Sequence, residues 1–250
     1  MLACGNSNSV PFLNDGGKAQ NAPPKKPKPN AKQTAADPSA FATNCVSGTQ
    51  KITLEATNLG LVNFINQLPK PLSIPCLLSA LPRPLALNAS SSTRSIQPAA
   101  GSAAPRVFVN FGNLVIAVSA QGAGTSSIEL GELTGDGMAF TGNIDFPVNG
   151  QLNEASLYTS TQANNGGNAC GSCHGAIQSV VTNGVTRYKM AAFQPDPTTN
   201  VSLSSLQIIA NNCRSSASPT NNCSLLQEFF DETGTNFSAF SFPADVGFFK

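Results

Sequence analysis

The sequence predicts an α+β protein. A β-sandwich-like region over residues 41–150 is followed by a small, mainly helical region over 151–250, and both sit behind a tether of residues 1–40. Three observations carry this reading. Between residues 106 and 146, short β-branched and aromatic runs are separated by turns, the rhythm of a small sandwich. From Asn153 onward, apolar residues recur at helical spacing between polar loops. Near the start stands Pro23-Pro24-Lys25-Lys26-Pro27-Lys28-Pro29, which neither propagates a helix nor joins a sheet interior.

The tether carries five lysines against Asp15 and Asp37, a net charge of +3. Such a run is ordinarily a solvated linker, and it also suits an anionic membrane or cell-wall polymer. Lys51-Ile52-Thr53-Leu54-Glu55 alternates as a half-buried strand does. Leu61, Phe64, Ile65 and Leu68 recur at helical spacing, with Pro69 as the stop. Pro69, Pro71, Pro75, Pro82 and Pro84 then break the chain around Cys76. Arg106–Phe111 and residues 114–118 flank Gly112-Asn113, which predicts a hairpin. Residues 127–130 and 139–146 read as further strands, joined by a turn at Gly135-Asp136-Gly137. No chemical constellation stands out in this region, so scaffold or partner contact is its expected role.

In the C-terminal region a helix is expected over 154–162, and another from Cys170 to about Val181, ending before Asn183-Gly184. Ser202 or Ser204 would cap a helix through Leu206, Ile208, Ile209 and Cys213. Asn222 would cap one through Leu225, Leu226, Phe229 and Phe230. Phe237, Phe240, Phe242, Phe248 and Phe249 follow, to wall an apolar group or to pack a general core.

The chemistry concentrates in Cys170-Gly171-Ser172-Cys173-His174, the Cys-x-x-Cys-His signature of c-type haem attachment. On a helical turn, positions i, i+3 and i+4 share one face. Both sulfurs then reach two vinyl groups of one porphyrin while the imidazole reaches its iron. His174 is the only histidine of the 250 residues. Competing uses are a small Cys170–Cys173 disulfide, a thiol–disulfide active site, and a zinc site built from Cys170, Cys173, Cys213 and Cys223.

Leu157-Tyr158, then Cys170-Gly-Ser-Cys-His-Gly175, then Lys189-Met190-Ala191-Ala192-Phe193 and the helical stretch over 202–213, resemble a class I c-type cytochrome. The resemblance covers about the last hundred residues. It implies a cytochrome c-like domain holding one covalently attached haem, with Tyr158 facing the haem. Met190 lies 16 residues beyond His174, closer than is usual in that family. With no second histidine, the second axial ligand must come from elsewhere, or the iron stays open. Met190 is the best-placed thioether, with Met138, Lys189 and an open iron as the alternatives.

Met1-Leu2-Ala3-Cys4-Gly5 resembles the end of a bacterial lipoprotein signal, which predicts lipidation of Cys4 and a true start upstream. The remaining Cys45, Cys76, Cys213 and Cys223 form an even set, with Cys45–Cys76 and Cys213–Cys223 the favoured local pairings. Disulfides and attached haem both suit an exported protein, in the periplasm or on the cell surface and anchored to the outer membrane. Charged residues make up only 11% of the chain and the net charge is +1, so there is no basic face for nucleic acid. No apolar run reaches the length of a membrane span. The expected function is single-electron carriage between redox partner proteins rather than an enzyme. The alternatives are a haem enzyme or sensor with open iron, and a surface-anchored structural or binding lipoprotein.

Overall fold

A computed structural model describes residues 53–95, 97–121, 125–159, 171–216 and 222–248. The predicted hairpin forms its centre. β2 (Arg106–Phe111) and β3 (Leu114–Ser119) pair antiparallel from Phe111↔Leu114 to Arg106↔Ser119. β4 (Ser127–Leu133) and β5 (Met138–Asp145) continue the meander on one side, and β1 (Leu85–Ser90) flanks β2 on the other.

The C-terminal half completes this same sheet. β6 (Gln178–Thr182) and β7 (Val185–Ala191) form a hairpin whose second strand pairs with β5, and β9 (Phe237–Ala239) adds in parallel to β1. The order is β6-β7-β5-β4-β3-β2-β1-β9, with a separate two-stranded ladder of β8 (Phe193–Gln194) and β10 (Gly247–Phe248). The architecture is thus mixed α+β, dominated by one large sheet. Two expectations are corrected here. Among the described residues there is no sandwich, because helices cover one face of the sheet and a C-terminal segment the other. Among the described residues there is no small helical domain after residue 150, because strands from both sides of that boundary share one sheet.

The helices follow local chemistry. α1 (Asn58–Asn66) starts at Thr57, whose Oγ1 accepts from the Gly60 amide at 2.9 Å. α2 (Ile74–Ala80) starts at Ser73 with Pro75 in its first turn, where a missing N–H costs nothing. The proline run around Cys76 therefore opens a helix as well as breaking the chain. Of the helix expected over 154–162, Ser156–Thr159 form α3, Glu154 and Ala155 are a turn, and 160–162 lie outside the described residues. α5 (Leu203–Ser215) is capped by Ser202, as predicted. α6 (Cys223–Phe229) begins after Asn222, whose side chain makes no cap bond and instead donates to the Ala103 carbonyl at 3.1 Å. Residues 53–55 are not a strand, and Lys51 and Ile52 lie outside the described residues.

Strand alternation divides the core. One face presents Leu87, Val109, Ile116 and Leu130 to Leu61, Phe64, Leu77, Leu206 and Phe229 of the helices. The other face presents Phe108, Val115, Ala117 and Ala139, covered by Val246, Phe240 and Phe242 from the C-terminal segment.

That second face also holds a buried ion pair between Arg106 and Glu129, 4% and 1% exposed. Arg106 Nη1 donates to Ser95 Oγ at 2.8 Å, and burial pushes its guanidinium down to about 9, still cationic at neutral pH. Removing one partner strands the other charge in a dry interior. Arg106→Met is expected to cost about 3–5 kcal/mol in urea unfolding, and adding Glu129→Leu to restore most of it. Equal losses in the single and double variants would show that the pair is not coupled.

Candidate haem-attachment site

The helix expected to run from Cys170 to about Val181 is much shorter. α4 (Gly171–His174) is one turn, and Gly175 follows with φ +73°, the left-handed conformation that ends helices. Beyond it, residues 178–182 are strand β6. Asn183 (φ 51°) and Gly184 (φ 79°) form the two-residue turn into β7 rather than a helix stop. The physical reason is in the flanks. Val180, Val181 and Thr182 before the turn, and Val185 and Thr186 after it, are β-branched and favour extended pairing.

This hairpin carries the motif to the sheet. β7 is registered on β5 through Met138↔Ala191 and Ala139↔Met190, and the Ala192 amide donates to the Gly137 carbonyl at 2.8 Å. The Ala191 carbonyl is thereby fixed, and His174 Nδ1 lies 2.6 Å from it. A carbonyl only accepts, so Nδ1 carries the proton and donates, which puts the ring's lone pair on Nε2. His174 is 3% exposed, and its ring lies 5.4 Å from that of Phe193 at an angle of 38°. Cys173, the preceding residue, is exposed. Cys170 lies outside the described residues, as do Cys4 and Cys45.

Of the attachment motif, the described donors are Cys173, which is exposed, and His174, which a backbone carbonyl orients. A metal-binding histidine typically donates its second N–H to a carbonyl, which orients the ring and raises its basicity. His174 has that arrangement. Met190 is fully buried on β7 against Ile177 and Tyr188, next to the residue that anchors His174. Lys189 Nζ is held 2.7 Å from Asp136 Oδ2, and this ammonium keeps the Asp136 carboxyl down at about 2. Met138 sits opposite Ala191 in the register, at the start of β5.

Tyr158 is packed in the main core rather than presented to an open site. Its hydroxyl accepts from Arg187 Nε at 3.1 Å and from Asn58 Nδ2 at 3.3 Å. Burial pushes the phenol up, and those two donors partly oppose the shift. Arg187 also meets Glu132 at 2.5 Å and Glu154 at 3.2 Å, and stacks 3.9 Å over the Phe140 ring. This cluster bolts β7 to α1, β4, β5 and α3. It is absent from the sequence reading, since nothing in Arg187, Glu132 and Glu154 as a string joins them.

Cys213 and Cys223 form a disulfide. Both thiols are consumed, which overturns the zinc alternative that needed them. Cys76 is also disulfide-bonded, and its predicted partner Cys45 lies outside the described residues. Among the described residues, no group of three or more His, Cys, Asp or Glu side chains could hold a metal ion, and no helix is long and apolar enough to cross a membrane.

No protein-family model matches the chain, and neither the curated proteins nor the solved structures yield a match.

Gly175 isolates one contribution to the site. A Cβ added there meets nothing within 4 Å, so a substitution costs only backbone conformation. Gly175→Ala is expected to lower stability by about 1–2 kcal/mol in urea unfolding. A loss above that range would mean that the turn after His174 carries packing the structure does not contain.

Proposed function

We propose that the chain is an exported monohaem c-type cytochrome that passes single electrons between redox partner proteins. The observation that carries the reading is the Cys-x-x-Cys-His motif, whose only histidine has its Nδ1 proton tied to the Ala191 carbonyl. Cys170 and Cys173 would add their S–H groups across two vinyl groups. His174 Nε2 would bind the iron. Bound haem supplies a one-electron couple. The chain's part is to orient His174 through Ala191, to raise its basicity, and to wall its ring with Phe193. The element beside the attached haem would then be a hairpin at one end of a large sheet rather than a helical domain.

The polar, lightly charged composition and the even set of four remaining cysteines support export to the periplasm or cell surface. Lipidation of Cys4 would anchor the chain to the outer membrane.

A second reading is favoured by Met190. Its side chain is enclosed by Ile177 and Tyr188, so it reaches an iron only if that packing opens. A haem with an exchangeable sixth position, suited to a sensor or enzyme, follows if the packing stays closed.

Expression with haem-attachment machinery, followed by visible spectra of oxidised, reduced and carbon monoxide-treated protein, tests both. Sharp reduced bands unmoved by carbon monoxide, with a red-edge band lost in Met190→Ala, are expected of His–Met iron. A carbon monoxide shift selects the second reading. The absence of covalent haem, checked by intact mass against Cys173→Ala, sinks both.

A further inference from the structure

On the second face of the sheet lies a cavity of about 170 Å³ whose lining includes Asn88, Gln194, Asn200, Ser241, Phe242 and Phe248. We propose that it binds a single neutral sugar ring.

The lining decides the chemistry. None of these residues is charged, so phosphates, carboxylates and metal ions find no counter-charge here. Asn88, Gln194, Asn200 and Ser241 each offer both a donor and an acceptor, the pairing that adjacent hydroxyls require. Phe242 and Phe248 add aromatic faces, against which the C–H side of a pyranose packs. Phe242 is held by edge contacts with Phe108 at 5.5 Å and Phe240 at 4.8 Å, whereas Phe248 is 47% exposed at the rim.

The size decides how much enters. Pockets for drug-sized ligands run to roughly 300–1,000 Å³, and this one equals about five or six waters. One ring fits, and a porphyrin does not.

The polar atoms are incompletely used. Asn88 Oδ1 is buried with no hydrogen-bond partner among the described residues, while its Nδ2 faces the Phe240 carbonyl at 3.5 Å. Turning the amide over would set oxygen against oxygen, so Oδ1 stays the acceptor in deficit. A hydroxyl donor entering beside Asn88 would supply what Oδ1 lacks, by opening the packing that now closes that atom off. Gln194, by contrast, already donates to the Val246 carbonyl at 2.6 Å and is held in place.

The cavity also touches the motif's surroundings. β8 pairs Gln194 with Phe248 and Phe193 with Gly247, and Phe193 is the ring against His174. The unique histidine signal is therefore a reporter for the cavity, whether or not haem is attached.

The test is a nuclear magnetic resonance titration of the full chain with methyl glucoside, methyl galactoside, methyl mannoside and N-acetylglucosamine. Saturable shifts of the Asn88, Gln194 and Asn200 side-chain amides are expected for at least one sugar, with millimolar affinity. The affinity should fall at least about tenfold in Phe248→Ala, a rim substitution with little consequence for folding, and also in Asn88→Leu. Three results would overturn the proposal: no saturable shift at about 50 mM of any sugar, equal shifts with glycerol, or binding untouched by Phe248→Ala. The haem reading stands or falls separately on the visible spectra.

Discussion

The pairing of β7 with β5 is the constraint on which the candidate site depends. It sets the Ala191 carbonyl at one place on the sheet, and that carbonyl sets the His174 ring. A slip of one residue would turn Met190 outward and move every partner of Arg187. Arg187, by holding Glu132, Glu154 and Tyr158 together, makes such a slip costly, because two carboxylates would lose their cation in a poorly hydrated place. The chemistry at the motif therefore rests on polar contacts several residues away from it.

How much of this was legible in the sequence follows from where the signal lies. Local patterns were readable: the β2–β3 hairpin from Gly112-Asn113, α1 from its apolar spacing, and α5 from the Ser202 cap. Where a local signal had two meanings, the flanking residues decided it. Asn183-Gly184 both stops helices and turns hairpins, and the β-branched residues on either side of it select the hairpin. Pro75 both breaks chains and opens helices, and Ser73 before it selects the helix. Missed altogether was what depends on distant partners. Nothing local says that β7 prefers β5 to a domain of its own, because the decision lies in ion pairs between residues 132, 154 and 187. Of the site, the motif and its unique histidine were plain in the sequence. The carbonyl that orients that histidine was not, since a backbone acceptor leaves no residue-type signature.

The two faces of the sheet divide the labour. The helix-covered face carries most of the hydrophobic burial, together with the Arg187, Glu132, Tyr158 and Asn58 cluster at its β7 end. The opposite face mixes Phe108 and Val115 with Arg106, Glu129 and Asn88, and is closed by a C-terminal segment rather than by helices. Both candidate sites, the motif beside β7 and the uncharged cavity beside β8, lie where this less regular covering meets the sheet.

The parallel addition of β9 to β1 has a kinetic consequence. Asn88 and Phe240, which meet there, are 152 residues apart in the chain. Closing so long a loop is entropically slow, and topologies dominated by such contacts fold late along that edge. The meander from β2 to β5 needs only short loops and is poised to form first. β1 then waits with one side of its backbone unpaired until Phe237–Ala239 arrive near the end of the chain. In a crowded compartment, that interval is when the chain is most exposed to pairing with a neighbour instead of with itself.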